Sequence, residues 1–259
     1  MDLGISGKRA LVTGGARGLG QSAASCLARE GARVAIVSRT AADVAAQVAA
    51  MGGAEQGHVG IELDLQADGA PDALIARLRE AGFWPIPIVV HNVGGTLGVS
   101  DPLCPMDDWR RVMRFNLEVA VELNLALVPP MQAAGWGRIV HMSSIAGMEN
   151  HGPVTYCTAK AALNAYTRCM GRVLSPEGIV VTAVLPGAVM CEGGYWDQAS
   201  RERPEHVERY LADRMASHRF GRPEEIGELT CFLCSEHASF CIGSLVPADG
   251  GQGRSYFGL

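Results

Sequence analysis

The feature that most constrains this chain is an alternation along its whole length, in which short β-branched runs are each followed by a longer stretch rich in Ala and Leu. The runs are Ala10–Thr13, Val34–Ser38, Val59–Leu63, Ile88–His91, Ile139–Met142, Ile179–Leu185 and Leu245–Pro247, with the length and composition of strands. The stretches Leu19–Glu30, Ala41–Met51, Ala70–Ala81, Asp107–Met131, Thr155–Leu174 and Glu224–Cys234 have the length and spacing of helices. Strands that are apolar throughout are buried on both faces. The alternation therefore predicts a doubly wound α/β fold: a seven-stranded, mostly parallel sheet covered by helices on both sides, with ligands at the carboxyl ends of its strands. No linker, low-complexity tract or internal repeat interrupts the series, and 259 residues suit one such domain, so a single domain over 1–259 is expected.

Bulk properties exclude several classes of function. The formal charge is -5 and no Lys/Arg run tracks a phosphate backbone, so nucleic acid is not an expected partner. Met1–Arg9 lacks the apolar core of a signal peptide, and no stretch is apolar for the length of a bilayer; the expectation is a cytoplasmic protein with no membrane partner. Eight cysteines in a long, core-rich chain read as reduced thiols. Cys231 and Cys234 form a C-x-x-C pair inside the apolar helical pattern Ile226–Cys234, with no second ligand pair. They read as core thiols, and no metal is expected.

The first strand runs into Thr13-Gly14-Gly15-Ala16-Arg17-Gly18-Leu19-Gly20, and a helix begins at once. Glycines there let the backbone approach a pyrophosphate, which then sits on the positive end of the helix. A glycine pattern alone is weak, but its place between the first strand and first helix is what a Rossmann-type dinucleotide site requires. An NAD site has an acidic residue at the end of the second strand, whereas this chain has Ser38-Arg39-Thr40. A guanidinium binds a 2′-phosphate that a carboxylate would repel, and Arg17 in the turn is placed to close on the same group. NADP(H) is the expected cofactor. Asp64-Leu65 and His91-Asn92-Val93-Gly94 end the third and fourth strands on the same edge; Asp64 could equally cap a turn and Asn92 act as a hydrogen-bonding post.

After the fifth strand come Ser143-Ser144-Ile145-Ala146-Gly147 and then Tyr156-Cys157-Thr158-Ala159-Lys160. On a helix, positions i and i+4 share a face, so Tyr156 and Lys160 can share a site. A tyrosine is a poor acid or base at neutral pH unless a nearby ammonium favours its phenolate, and Lys160 offers that charge. A serine hydroxyl beside them can bind a substrate oxygen while a nicotinamide exchanges hydride.

With Thr13–Gly20, Asp64, Asn92–Gly94, Asn116 in Arg114-Phe115-Asn116-Leu117, Ser144, Tyr156, Lys160, Pro186-Gly187 and Asp249-Gly250-Gly251, the chain resembles the short-chain dehydrogenase/reductase family over essentially its whole length. The resemblance implies that Tyr156 is the general acid/base, that Ser144 holds the carbonyl oxygen, and that Lys160 perturbs the tyrosine and binds ribose. It also implies that Asn116 supports a proton relay through water. Ser144, which immediately precedes Ile-Ala-Gly, matches the family motif better than Ser143. The cofactor-binding set implied is Gly14, Arg17, Gly18, Leu19, Gly20, Ser38, Arg39, Asp64, Leu65, Asn92, Gly94, Tyr156, Lys160, Pro186, Gly187 and Val189. His91 stands where the family commonly has Asn, and Cys191 where a Thr often follows Pro-Gly. Relatives pair through the helices around Asn116 and Tyr156, which implies a homodimer or homotetramer.

Met190–Phe220 is charged, aromatic and poor in strand signals, and reads as an insertion over the site or as a plain solvated helical pair. With Glu149, Asn150, His151, Glu192, Tyr195 and Trp196 it makes a mixed polar and aromatic lining. The expected activity is carbonyl/alcohol interconversion on a small polar molecule, hydroxylated, sugar-like or anionic. A 3-oxoacyl-type reductase is one alternative. An NADP-sensing regulatory protein is another, and loss of the tyrosine or lysine would mark it; both are present here.

Overall fold

The computed structural model describes residues 1–255 and places the seven expected strands in one sheet. They are β1 (Arg9–Thr13), β2 (Arg33–Ser38), β3 (Val59–Glu62), β4 (Ile88–His91), β5 (Gly137–Met142), β6 (Ile179–Pro186) and β7 (Leu245–Ala248). Their order is β3-β2-β1-β4-β5-β6-β7, and every neighbouring pair is parallel. The chain winds outward in both directions from β1 and β4, so a crevice opens between their carboxyl ends, where such folds bind ligands.

The strands read as continuous apolar runs because successive residues feed two different cores. Leu11, Val89, Ile139 and Val181 point into one cluster, and Val12, Val90, Val140 and Val184 into the other. Helices α1 (Gly18–Arg29), α2 (Ala41–Ala50), α3 (Ala70–Glu80), α4 (Met106–Met113), α5 (Val119–Ala134) and α6 (Val154–Leu174) alternate with the strands. Two further helices, α7 (Tyr195–Glu202) and α8 (Pro204–Arg214), occupy the charged segment, and α9 (Pro223–Leu233) packs on α1. Each fully buried side chain, such as Leu27 or Leu123, contributes roughly 1.5–3 kcal/mol of transfer free energy. No helix of the described residues is long and apolar enough to cross a membrane.

One expected helix is corrected. The pattern over Asp107–Met131 is not a single α-helix: α4 and α5 are separated by a π-helical turn, Arg114–Glu118, with Asn116 at its centre. A π turn adds one residue to the hydrogen-bonded loop without changing which residue types are favoured, so hydrophobic spacing does not report it. Such turns concentrate where a side chain must be aimed.

Candidate active site

The glycine turn joins β1 to α1 and is held from below. Asn92, at the end of β4, donates through Nδ2 to the carbonyls of Thr13 (3.0 Å) and Gly14 (3.1 Å). The Thr13 hydroxyl accepts the amides of Asn92 (2.9 Å) and Val93 (3.2 Å). A Cβ on Gly20 would lie 2.3 Å from the Gly14 carbonyl oxygen and 2.4 Å from Asn92 Nδ2, so only glycine fits there. No side chain caps the amides at the start of α1, and its first turn contains no acidic residue. Uncapped amides at a positive helix end form a cradle for an anion.

A cavity of about 250 Å³ opens beside this turn and brings together Gly14, Arg17, Ser38, Arg39, Asp64, Leu65, Asn92 and Gly94. Arg17 is engaged there by Asp43 on α2, with Nε 2.8 Å from Oδ2. Among the described residues Arg39 has no ion-pair partner, so it is the free guanidinium of the cavity. Asp64 Oδ1 accepts the Gln66 amide at 3.0 Å and shapes the turn after β3. The uncapped amides, the open guanidinium and the missing acid after β2 fit a phosphorylated dinucleotide.

A second cavity, about 290 Å³, shares Asn92 and Gly94 with the first and brings Leu19, Ser144, Tyr156, Lys160, Pro186 and Gly187 together. Ser144 Oγ accepts the Ala146 amide at 3.1 Å, which leaves its own O–H to donate. Its side chain also hydrogen-bonds Tyr156. Lys160 is 2% exposed and donates through Nζ to the Met142 carbonyl at 2.8 Å. Nζ lies 5.7 Å from the centre of the Tyr156 ring.

The ionisation of this pair is governed by burial. Burial raises the Tyr156 hydroxyl above its ordinary value, and the Ser144 bond offsets this only in part. Burial also pulls the Lys160 ammonium down to about 7. Desolvation disfavours both charged forms in a buried pocket and is the largest cause of each shift.

Asn116, Val189 and Leu19 occupy three different situations. Both donors of the Asn116 side chain are used: Nδ2 donates to the carbonyls of Gly95 (2.8 Å) and Val112 (2.9 Å), while Oδ1 accepts the Gly95 amide (2.9 Å). It clamps the end of β4 instead of lining the cavity. Gly94 must be glycine for the same reason, since a Cβ would meet Asn116 Oδ1 at 2.7 Å and Lys160 Nζ at 2.9 Å. Val189 bridges to Gly221 and packs on the α1 side of the core, outside both cavities, whereas Leu19 lines the second one. Cys191 lies close over the turn, its Sγ 3.6 Å from where a Gly18 Cβ would stand.

His91 works behind the site. It is buried against His141, with ring centres 5.2 Å apart, and its Nε2 meets Asn124 Oδ1 at 2.8 Å. His141 Nδ1 meets the Thr167 hydroxyl at 2.8 Å, and that hydroxyl donates to the Leu163 carbonyl, so the imidazole must be the donor. Burial lowers the His91 pKa to about 4, and burial, with His91 and Lys160 nearby, also holds His141 well below its usual range. Both rings are neutral braces between sheet and helices.

Sequence reasoning missed Gln252. It is 4% exposed; its Oε1 accepts the Ala188 amide at 2.7 Å and its Nε2 donates to the Tyr210 hydroxyl at 2.6 Å. A polar residue after two glycines reads as surface loop, and both partners are remote in sequence. Cavity size would also have misled. A space of about 900 Å³ between α1, α2 and α9 includes none of Ser144, Tyr156 and Lys160 in its walls.

Comparison with known proteins gives consistent results. A family model described as enoyl-(acyl carrier protein) reductase matches residues 14–252. The chain is 34% identical to the 3-oxoacyl-(acyl-carrier-protein) reductase FabG of Pseudomonas aeruginosa, over 96% of this chain and 99% of that protein. It is also 34% identical to L-xylulose reductase of Bos taurus, over 97% and 98% of the two chains. The crystal structure of L-sorbose reductase from Gluconobacter frateurii, complexed with NADPH and L-sorbose, superposes with a TM-score of 0.90 at 26% identity, covering 98% of this chain and 100% of that one.

Proposed function

Because this chain belongs to the short-chain dehydrogenase/reductase family of oxidoreductases, we propose that it uses NADP(H) to interconvert a carbonyl and a secondary alcohol on a small, polar substrate. The observation that carries the reading is the meeting of Ser144, Tyr156 and Lys160 in one cavity that shares Asn92 and Gly94 with the dinucleotide groove. In this reading the amides from Gly14 to Gly20, in the turn and the start of α1, take the pyrophosphate, Ser38 and Arg39 the 2′-phosphate, and Asp64 and Leu65 the adenine end. Asn92, Gly94, Lys160, Pro186 and Gly187 surround the nicotinamide half. When bound, the nicotinamide supplies or takes the hydride.

The remaining chemistry belongs to the chain's own side chains. Ser144, its oxygen already accepting from Ala146, donates its proton to the substrate oxygen. Tyr156 protonates that oxygen in reduction and deprotonates the alcohol in oxidation. A raised tyrosine keeps its proton at neutral pH, so the resting ionisation suits reduction. For oxidation the phenolate must form, and Lys160, poised at about 7, is the nearby group whose protonation favours it. Asn116 acts by holding the strand end against Lys160. Residues 190–220 cover the substrate as a lid on a single domain. The proposal includes a homodimer or homotetramer, since Leu125 on α5 and Val173 on α6 are 75% and 64% exposed; a monomer by light scattering would remove that part.

The test follows nicotinamide absorbance over a carbonyl panel. We expect kcat/KM to be at least about tenfold higher with NADPH than with NADH, and Arg39→Asp to erase the preference. Equal use of both cofactors overturns the cofactor assignment. Tight NADPH binding with no turnover on any carbonyl would favour an NADP-sensing protein. A 3-oxoacyl-type reductase draws on the identity with FabG, and acetoacetyl thioesters in the panel separate it from a reductase of small polar carbonyls.

A further inference from the structure

The lid helix α8 has a marked asymmetry. Val207 is its buried residue, whereas His206, Arg209, Tyr210, Asp213 and Arg214 recur at three- and four-residue intervals and share a face. That face does not simply meet solvent. It looks across a cavity of about 440 Å³ at Asn150 and His151, in the loop between Ser144 and Tyr156. The adjoining Gly152 lies against the catalytic tyrosine: a Cβ there would be 3.4 Å from Tyr156 Cδ1. One wall of the cavity is thus continuous with the segment that packs on Tyr156.

The charges in this cavity are unbalanced. Other arginines of the segment have partners: Arg201 pairs with Asp197, Arg219 with Glu225, and Arg203 lies over the Tyr195 ring. Among the described residues Arg209 and Arg214 have no ion-pair partner, and both line this one space. Among the described residues Asp213 is the only carboxylate in its lining, and His151 is already bonded to Glu149 at 2.9 Å. Tyr210 adds a donor. Gln252 uses its oxygen on the Ala188 amide, so its nitrogen must donate to the Tyr210 oxygen, and the Tyr210 O–H is left to point elsewhere. Two unmatched guanidiniums and a free hydroxyl are the donor set that an oxyanion recruits, through charge-assisted and often bidentate bonds.

We propose that the cavity between α8 and the 150–151 loop seats an oxyanion carried by the substrate, a carboxylate or phosphate gripped by Arg209, Arg214 and Tyr210. The inference rests on the oxidoreductase reading and narrows it. The substrate is a hydroxy or keto acid, or a sugar phosphate, and a neutral polyol is a poor ligand.

Calorimetric titration of the intact protein with glucose, gluconate and glucose 6-phosphate tests this directly. At least one anion should bind about tenfold more tightly than glucose, and which of the two does so identifies the carboxylate or the phosphate as the recognised group. The preference should vanish in the Arg209→Gln/Arg214→Gln double variant and shrink as salt is added. Both positions are exposed, so an unchanged thermal melt checks that the variant is folded. Equal binding of all three ligands, no measurable binding of either anion, or a preference that survives the double substitution overturns the proposal. Failure of the wider reading looks different. An arginine-dependent anion preference without nicotinamide turnover on the matching keto compounds would sink the oxidoreductase reading and leave the cavity assignment standing.

Discussion

The wall around Lys160, proposed to be catalytic, and the segment α7–α8, proposed to be a lid, are built on opposite principles. Lys160 and its neighbours Asn116 and Ser143 are nearly inaccessible, and each is fixed by a partner in the backbone or in an adjacent buried side chain. In the lid, α7 and α8 bury one residue each, Ala199 and Val207. What holds them is a cluster around Trp196, with ring centres 4.2 Å from Tyr210 and 4.7 Å from Phe220, plus exposed ion pairs that contribute little. Segments with few buried apolar contacts open at a small fraction of the global free energy. In the proposed function the wall would therefore hold one reaction geometry while the segment over it is freer to move.

The largest effect that could break this division is at Tyr156. Tyr156→Phe keeps the ring and removes the proton donor, so turnover should fall by roughly 10²–10⁴-fold while NADPH fluorescence still reports binding. Near-wild-type turnover on a substrate whose chemical step limits the rate would take the chemistry out of the wall.

Lys160→Met tests the wall through pH. The folded lysine titrates near 7 and the unfolded one at 10.5, so between these values the unfolded chain holds a proton that the folded chain has lost. Wild-type stability then rises with pH across that window. Below it the buried ammonium costs on the order of a few kcal/mol, which the methionine removes. The variant should melt higher than wild type at about pH 6, and the gap should close toward about pH 10. A gap that does not depend on pH would mean that the ammonium is not desolvated.

Trp196→Ala sharpens the lid side. Removing the hub should speed proteolytic cutting within residues 195–214 by about tenfold or more and raise KM, with little change in the main thermal transition. Loss of the whole fold in a single step would show that lid and wall are one cooperative unit. The smallest effect is expected behind the wall, at His91. Its folded pKa of about 4 lies below the ordinary 6.5, so as pH falls between them the unfolded chain gains a proton that the folded one refuses. Stability should decline across that range, and His91→Asn should flatten the decline in chemical denaturation curves.

These two regions also differ in what could be read from the chain itself. Tyr156 and Lys160 are four apart on one helix, and the glycine turn lies between adjacent elements, so local spacing carried them. The central strands β1, β2, β4, β5 and β6 were legible because each serves two cores and so contains few polar residues. What escaped depends on pairings between distant segments: Asp43 reaching Arg17, the π turn that aims Asn116, and α8 meeting the 150–151 loop. Arg209 and Arg214 were visible only as charges in a nearly balanced segment, because a count of signs cannot say which cations find partners. His91 looked like a departure at the cofactor edge, and it became a brace only once His141 and Asn124 stood beside it.

Gln252 gives the junction of these regions a direction. Its oxygen is committed to a backbone N–H beside Pro186-Gly187 and its nitrogen to a hydroxyl on the lid. Rotating the amide by half a turn would set an NH₂ against the Ala188 N–H, donor facing donor. The joint is keyed like an asymmetric plug and accepts one orientation only. A displacement of Tyr210 would thus pull on the Ala188 amide, next to Pro186-Gly187, at the end of β6.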